Sequence, residues 1–201
     1  LKENISSAST QPEQGRELLR AYLMIGYLQI NWPQLMNRES ELLSAEQYIE
    51  KAKQLAEQQQ DQLFIAYAHE ELGKIKRLQG EFAESANYLK AALKYHQQFQ
   101  GDYGQTAALI ELAKVSNAQQ NQALAEQYLQ QAFDIATQSD APANQVWVLL
   151  AKADIARSRL LHSRAEQFAK EAKHIATQSD NPMLVARVEA WFNDAPVYTV
   201  N

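Results

Sequence analysis

Small and aromatic residues recur along this chain at offsets that belong to one face of an α-helix. Ala45 is followed by Tyr48 three residues later and by Ala52 four residues after that. Offsets of three, four and seven place side chains on the same side of a helix. Small residues on such a face let a neighbouring helix approach closely. The pattern therefore predicts helices that pack through a small-residue face.

The same order of residues returns every 40 positions. The aromatic positions of the four copies are Tyr48, Tyr88, Tyr128 and Phe168. The second copy has Ser85 where the others have alanine, and residues 135–140 recur unchanged as 175–180. Self-similarity at a fixed period of this length is the signature of a helical repeat protein.

Each copy is expected to form two helices joined by a short turn. The predicted helices span residues 14–30, 40–59, 62–79, 82–99, 103–119, 122–138, 142–158, 162–178 and 182–193. They form a repeat domain over 14–193, with units near 14–60, 61–101, 102–141 and 142–181, a closing helix at 182–193, and tails at 1–13 and 194–201. The first unit is longer than the others because of an insertion near 31–38, in which Trp32-Pro33 predicts a loop.

Two of the predicted helices begin with a proline, Pro142 and Pro182. Proline is tolerated at the first helical position because the N–H that it lacks would have no partner there. Asp140 and Asn181 lie close by, and their side-chain oxygens are expected to cap the helix starts.

Composition supports an all-α chain, because Ala, Leu, Gln and Glu dominate over 6 Gly and 5 Pro. A net charge of -5 argues against a general nucleic-acid binder, which needs a basic surface.

The absence of cysteine excludes disulfides and Cys-based zinc sites; it favours a cytoplasmic location and leaves a periplasmic one open. No apolar stretch is long enough to span a bilayer, so we predict no membrane insertion. Because the chain starts at Leu1, we expect a processed or excised piece of a longer protein.

Catalytic motifs find no match in the sequence. None of the four histidines lies within one helical turn of another, so a metal site is not expected. Residues 101–104 lack the preceding strand and the full glycine pattern of a phosphate loop. There is also no Gly-x-Ser-x-Gly motif. We therefore predict no catalytic, cofactor-binding or metal-binding residue, and a binding protein instead of an enzyme.

The second copy resembles the tetratricopeptide repeat. The resemblance lies in Leu72-Gly73, Gly80, Ser85, Tyr88 and Ala92, which follow that family's order of Leu-Gly, Gly, Ala, aromatic and Ala. The usual period of that family is about 34 residues. The longer period here is similar to that of kinesin-light-chain-type and MalT-type repeats. The fourth copy departs from the pattern, with Lys152-Ala153 and Leu160 at the Leu-Gly and Gly places. The resemblance implies a right-handed α-α superhelix of about four hairpins plus a closing helix.

In that family the first helix of each pair lines a concave wall, and the resemblance implies a groove at the matching positions here. These positions are Arg20, Tyr27, Asn31, Tyr67, Glu70, Lys74, Arg77, Ile110, Lys114, Asn117, Trp147, Leu150, Asp154, Arg157 and Arg187. Cations outnumber anions among them although the chain is acidic. Such a wall suits an extended peptide with carboxylates and one or two apolar anchors. The family's carboxylate clamp is matched only at Lys114 and Asn117.

Alternatives stay open at the level of sequence. The cations of the wall either grip a partner's carboxylates or form a mixed surface, in which some pair with Glu70 or Asp154. The main functional hypothesis is a module that binds another protein or an extended peptide, acidic peptides being one class. The alternatives are a sensor or regulatory domain of a larger signalling or transcription-regulating protein, and a self-associating module with a homodimer contact through Trp191 and Phe192.

Overall fold

The computed structural model of the chain describes residues 20, 22–24 and 38–193, and within them the regular structure is entirely helical. The helices with defined bounds are α1 (Arg38–Gln58), α2 (Gln62–Gln79), α3 (Phe82–Gln98), α4 (Asp102–Ala118), α5 (Gln122–Gln138), α6 (Pro142–Ser158), α7 (His162–Gln178) and α8 (Pro182–Asn193). Residues 20 and 22–24 are helical as well. The all-α prediction is confirmed for this part of the chain.

The chain divides into two compact units, Leu1–Gly104 and Gln105–Asn201. In the first unit α2 packs against both α1 and α3. In the second unit α6 packs against α5 and α7, and α8 packs against α6 and α7. Helices that follow one another in sequence thus pack as neighbours, as in a helical repeat.

The helices predicted from the repeat pattern are confirmed from residue 38 onward. Every end lies within two residues of its predicted place. The predicted helix at 14–30 and the Trp32-Pro33 loop lie outside the described residues, apart from residues 20, 22–24 and 38. The two predicted tails also lie outside them.

Each turn between α1 and α8 is centred on a residue with positive φ, and that residue recurs every 20 positions. The central residues are Gln60, Gly80, Gln100, Gln120, Asp140, Leu160 and Asp180. After α1, the N–H of Gln60 donates to the carbonyl of Glu57 at 3.1 Å, and the N–H of Asp61 donates to the carbonyl of Ala56 at 2.9 Å. The same pair of bonds closes the next five turns. This Schellman arrangement satisfies carbonyls that a helix end leaves open.

The regular turn explains the length of the repeat. Helices α3 to α7 have 17 residues each, and three residues separate each of them from the next helix. One helix and its turn therefore account for the spacing between successive positive-φ residues. One hairpin accounts for twice that spacing, which is the period seen in the sequence.

The helix caps follow the same register, and they correct one prediction. The side-chain oxygens of Asp61, Asn121 and Asn181 accept hydrogen bonds from the first N–H groups of α2, α5 and α8. The cap predicted at Asn181 is confirmed. The cap predicted at Asp140 is wrong, because Asp140 has a φ of 47° at the centre of the turn. The capping position before α6 is Ala141, which has no side-chain oxygen.

The small-residue face predicted from the sequence is buried in every copy. Its members are Ala45, Ala52, Ser85, Ala92, Ala125, Ala132, Ala165 and Ala172. Between α2 and α3 the approach is close, since a Cβ on Gly73 would lie 2.6 Å from Cγ of Leu89. The small residues thus hold the helices of a hairpin together, as predicted from their offsets.

Each unit has its own hydrophobic core. In the first unit a cluster joins α1 to α2 through buried residues such as Ile49 and Leu72, with Leu23 and Tyr88 packed against it. In the second unit Val146 and Leu149 of α6 form a cluster with Val188 of α8. None of the helices that the structure describes is both long enough and apolar enough to cross a membrane.

Candidate partner-binding site

The predicted groove residues lie on four helices of the described chain. Helix α2 carries Tyr67, Glu70, Lys74 and Arg77; α4 carries Ile110, Lys114 and Asn117; α6 carries Trp147, Leu150, Asp154 and Arg157; and α8 carries Arg187. Arg20 is exposed, whereas Tyr27 and Asn31 lie outside the described residues. The α2 set belongs to the first compact unit, and the α4, α6 and α8 sets belong to the second.

Three of the predicted positions are buried, which leaves little side chain for a partner to touch. Glu70 is 5% exposed, and Ile110 and Leu150 are core residues. Leu150 packs in the same cluster as Val188. These side chains contribute to the core, because positions two residues before the Leu of Leu-Gly face inward here.

On α2 the lysine of the predicted groove is held by its own helix. Nζ of Lys74 lies 2.6 Å from Glu70 and 2.7 Å from Glu71. Burial disfavours the charged carboxylate of Glu70, but the charge and the hydrogen bond of Lys74, together with the nearby ring of His96, outweigh burial and lower the pKa of Glu70 below its ordinary value. The interpretation in which a groove cation pairs with Glu70 is therefore the one that this geometry supports.

His96 of α3 completes a buried polar cluster around Glu70. Its Nε2 lies 3.6 Å from Oε2 of Glu70, and its ring centroid lies 5.5 Å from that of Tyr67. A Cβ on Gly104 would overlap the His96 ring, so the backbone at the start of α4 closes the cluster. The sequence did not predict this cluster, because the spacing of histidines along one helix says nothing about a contact between α2 and α3.

On α4 the predicted residues are also engaged within the protein. Nζ of Lys114 lies 2.6 Å from Glu111, one turn earlier on the same helix. The Asn117 amide donates to Oγ of Ser158 at 3.1 Å, and its oxygen accepts from Nε of Arg159 at 2.7 Å. Asn117 thus ties α4 to the C-terminal end of α6.

Helices α6 and α8 bring five polar and aromatic side chains together on their surface. Asp154 accepts two hydrogen bonds on the same oxygen, one from Arg157 at 2.7 Å and one from the indole N–H of Trp191 at 2.6 Å. The guanidinium of Arg157 lies 4.1 Å from the Trp191 ring, and that of Arg187 lies 5.2 Å from the Trp147 ring. We call Trp147, Asp154, Arg157, Arg187 and Trp191 the aromatic–cation platform.

Four members of the aromatic–cation platform come from the predicted groove, and Trp191 does not. From the sequence, Trp191 and Phe192 were expected to form a homodimer contact. In the structure both side chains are half-buried, pack against the hydrophobic core of their unit, and meet edge to face with ring centroids 5.3 Å apart. The homodimer contact through this pair stays a prediction. No spacing within one helix could have placed Trp191 beside Asp154, 37 residues earlier.

Among the described residues, no group of three His, Asp or Glu side chains is arranged to hold a metal ion. Comparison with known proteins finds no family model and no curated protein that the chain matches. The resemblance to the tetratricopeptide repeat therefore stays a prediction, which depends on the sequence order of Leu72-Gly73, Gly80, Ser85, Tyr88 and Ala92.

Proposed function

We propose that this chain is a protein-binding module that holds an extended segment of a partner, and that it does not catalyse a reaction. In this proposal the hairpins form a right-handed solenoid of the tetratricopeptide type, with the first helix of each hairpin facing the partner. Neighbouring helices that pack in sequence order, joined by turns whose centres are evenly spaced along the chain, support a repeat architecture.

The observation that carries the proposal is the aromatic–cation platform on α6 and α8. Both helices are first helices of their hairpins. Trp147 leaves 36% of its surface exposed beside the guanidinium of Arg187. Tryptophan and arginine are the residue types that dominate binding energy in protein interfaces. An exposed pair of this kind offers a flat apolar surface with hydrogen-bond donors at its edge.

The platform is also ordered before a partner arrives. Asp154 holds both Arg157 and Trp191, so two large side chains are already fixed in one arrangement. Binding then costs less side-chain entropy than it would on a surface of free side chains. Rigid aromatic anchors of this kind favour specific binding.

The pairing of the cations points to the chemistry of the partner. Lys74, Lys114 and Arg157 each have an acid within one turn of their own helix. A partner carboxylate would have to compete with these acids. We therefore propose a segment with an apolar or aromatic anchor for Trp147, and main-chain carbonyls for the guanidinium of Arg187. A second form of the proposal is an acidic segment. In that case a carboxylate of the partner displaces Asp154 and pairs with Arg157.

A peptide library displayed on phage tests the proposal without knowledge of the natural partner. Immobilised wild-type protein should enrich a family of related sequences with an apolar anchor. Trp147→Ala and Arg187→Ala should each lose most of that binding. Met183→Ala is the matched control, because Met183 is exposed on α8 and lies outside the platform. Binding that survives both platform substitutions, or enrichment of no sequence family, would overturn the proposal.

A further inference from the structure

Helix α8 exposes a face that is buried in the other first helices of the repeat. Ala186 and Ala190 lie on this face, two residues after Leu184 and Val188, whose side chains belong to the core of the unit. A step of two residues along a helix leads to its opposite side. Ala186 and Ala190 therefore point away from the core, and both are exposed. We call these two residues the open face of α8.

The equivalent positions of the other first helices are all buried. The positions 40, 80 and 120 residues before the open face fall on α6, α4 and α2. Each of these residues has an exposed fraction of 8% or less: Val146, Leu150, Thr106, Ile110, Ala66 and Glu70. Burial of the same position in three helices of different sequence is a property of the architecture. The open face of α8 is therefore a packing face.

In the second and fourth hairpins this packing face is covered by the second helix of the pair. Helix α7 covers α6, with Leu150 in one cluster with Ala172 and Ala176. Helix α3 covers α2, with Nε2 of His96 at 3.6 Å from Oε2 of Glu70. Helix α8 packs against α6 and α7, and neither of these covers its open face. A second helix of the same kind would complete the hairpin.

The covering helices share a pattern, and the open face selects one form of it. Both α3 and α7 have a small residue, an aromatic residue three positions later and an alanine seven positions later. Four positions after this alanine they differ, since α7 has Ala176 against the large Leu150, whereas α3 has His96 against Glu70. Because α8 offers the small Ala190 at this place, a covering helix has room for a large apolar side chain there.

A lysine of α7 lies where a covering helix would place its aromatic residue. In the first unit, Nζ of Lys53 on α1 lies 5.6 Å from the ring centroid of Tyr88 on α3. The residue 120 positions after Lys53 is Lys173 on α7. Its amine lies 3.5 Å from Glu189 of α8, and both side chains are about half exposed. Because an exposed ion pair contributes little stability, this amine can turn to an aromatic ring that docks beside α8.

We propose that the open face of α8 binds an amphipathic helix of a partner protein, which completes a hairpin in trans. The partner helix has a small residue, followed by an aromatic residue, a second small residue and a large apolar residue at offsets of three, seven and eleven. The aromatic residue lies over Lys173, and the large apolar residue packs against Ala190. A second copy of this chain does not offer such a helix from its described residues, because α1, α3, α5 and α7 bury their small residues within their own unit.

The experiment measures binding of a synthetic helix to the full chain. The probe is a fluorescein-labelled peptide with the sequence of residues 81–99, which contains α3, and with His96→Leu to supply the large apolar side chain. Fluorescence anisotropy should show saturable binding. Ala190→Arg places a charge on the open face and should weaken the affinity about tenfold or more. Ala123→Arg is the matched control, because Ala123 is an exposed alanine of α5, and it should leave the affinity unchanged.

Two further variants identify the mode of docking. A probe that also carries Ala92→Arg loses its small face and should not bind. Trp147→Ala should not change binding of the probe, so failure of this inference and failure of the aromatic–cation platform can be told apart. Absence of saturable binding, or equal binding to Ala190→Arg, would overturn the proposal. Sedimentation that shows a dimer of the protein alone, which Ala190→Arg dissociates, would also overturn it, because a second copy would then occupy the open face.

Discussion

The hydroxyl of Ser85 donates a 2.7 Å hydrogen bond to the main-chain carbonyl of Gly73, across the buried contact between α2 and α3. The other copies of the repeat have alanine at the place of Ser85. The second copy therefore adds a polar link at a point where the missing side chain of Gly73 already lets Leu89 come close. Packing and hydrogen bonding at this point can be tested separately.

Gly73→Ala should destabilise the protein although alanine is the better helix former. The new methyl group would lie 2.6 Å from Cγ of Leu89. We expect a net loss of about 1–2 kcal/mol, because overpacking exceeds the gain in helix propensity of about 1 kcal/mol. Urea denaturation measures the loss. In a double-mutant cycle with Leu89→Ala the two costs should sum to more than the cost of the double variant; strict additivity would contradict the steric explanation.

Ser85→Ala should have a smaller effect through a different mechanism. The variant removes the hydrogen bond to Gly73 and leaves the alanine that the other copies have. We expect a loss of about 1 kcal/mol in the free energy of unfolding, the usual net value of a buried hydrogen bond. The hydroxyl of exposed Ser163 on α7 serves as the control, since its replacement by alanine should change little. A loss at Ser85 no larger than at Ser163 would show that the bond adds no stability.

Leu160→Asn should stabilise the protein. Leu160 is 72% exposed and has a φ of 62°, a conformation that asparagine adopts more readily than leucine. We expect a gain of about 0.5–1 kcal/mol, which thermal unfolding would show as a rise of roughly 1–4 °C. The opposite change, Gly80→Ala, should cost about 1 kcal/mol, since a Cβ there meets no atom within 4 Å and only the backbone is strained. A destabilised Leu160→Asn would refute the idea that these turns store strain.

Lys152→Leu should also stabilise the protein, because it restores the leucine found at positions 72 and 112. We expect a gain of about 1 kcal/mol near neutral pH from burial of an apolar side chain. Lys90→Leu on the exposed surface of α3 is the control and should have almost no effect.

The ionisation of Lys152 also makes the stability of the wild-type protein depend on pH in a defined direction. The folded-state pKa of Lys152 lies below the unfolded value of 10.5, so the unfolded chain binds more protons between the two values, and stability rises with pH in that window. A pH-independent difference between wild type and Lys152→Leu would contradict this.

Glu70→Gln should remove stability at neutral pH and little of it in acid. The folded-state pKa of Glu70 is lower than its unfolded value of 4.5, so the carboxylate stabilises the fold above pH 4.5 and loses this effect as the pH falls through the folded-state value. We expect the free energy of unfolding to fall by about 1–3 kcal/mol at pH 7, because Lys74 and His96 would face a neutral amide instead of a buried carboxylate. Urea denaturation of wild type and variant from pH 7 to pH 3.5 should show the two curves converging. A difference in stability between wild type and variant that does not change with pH would contradict a role for the charge of Glu70.

The helices of this protein follow from local rules, and so the sequence was sufficient to predict them. The offsets from Ala45 to Tyr48 to Ala52 identified a helix face whose alanines are buried. The period of the repeat placed the helix ends correctly because a helix and its turn are set by neighbouring residues. The cap predicted at Asp140 was wrong, because Asp140 lies at the centre of the turn, one residue before the capping position at Ala141. The side chain of Asp140 has the oxygen that a cap needs, but its backbone has the positive φ of the turn and not the conformation of a capping residue.

Side-chain partners on different helices were beyond the reach of the sequence. The six cations of the predicted wall could not be told apart by type, yet Arg157 shares Asp154 with Trp191, and Lys74 shares buried Glu70 with His96. In the sequence Lys152 is only a departure from Leu-Gly, because the rings beside its amine come from two other helices. Periodicity determines which face of a helix is buried, because it depends on the helical repeat alone. Which charge is neutralised, and which amine lies against a ring, depends on how far side chains reach across a packed interface, and only the tertiary structure decides that.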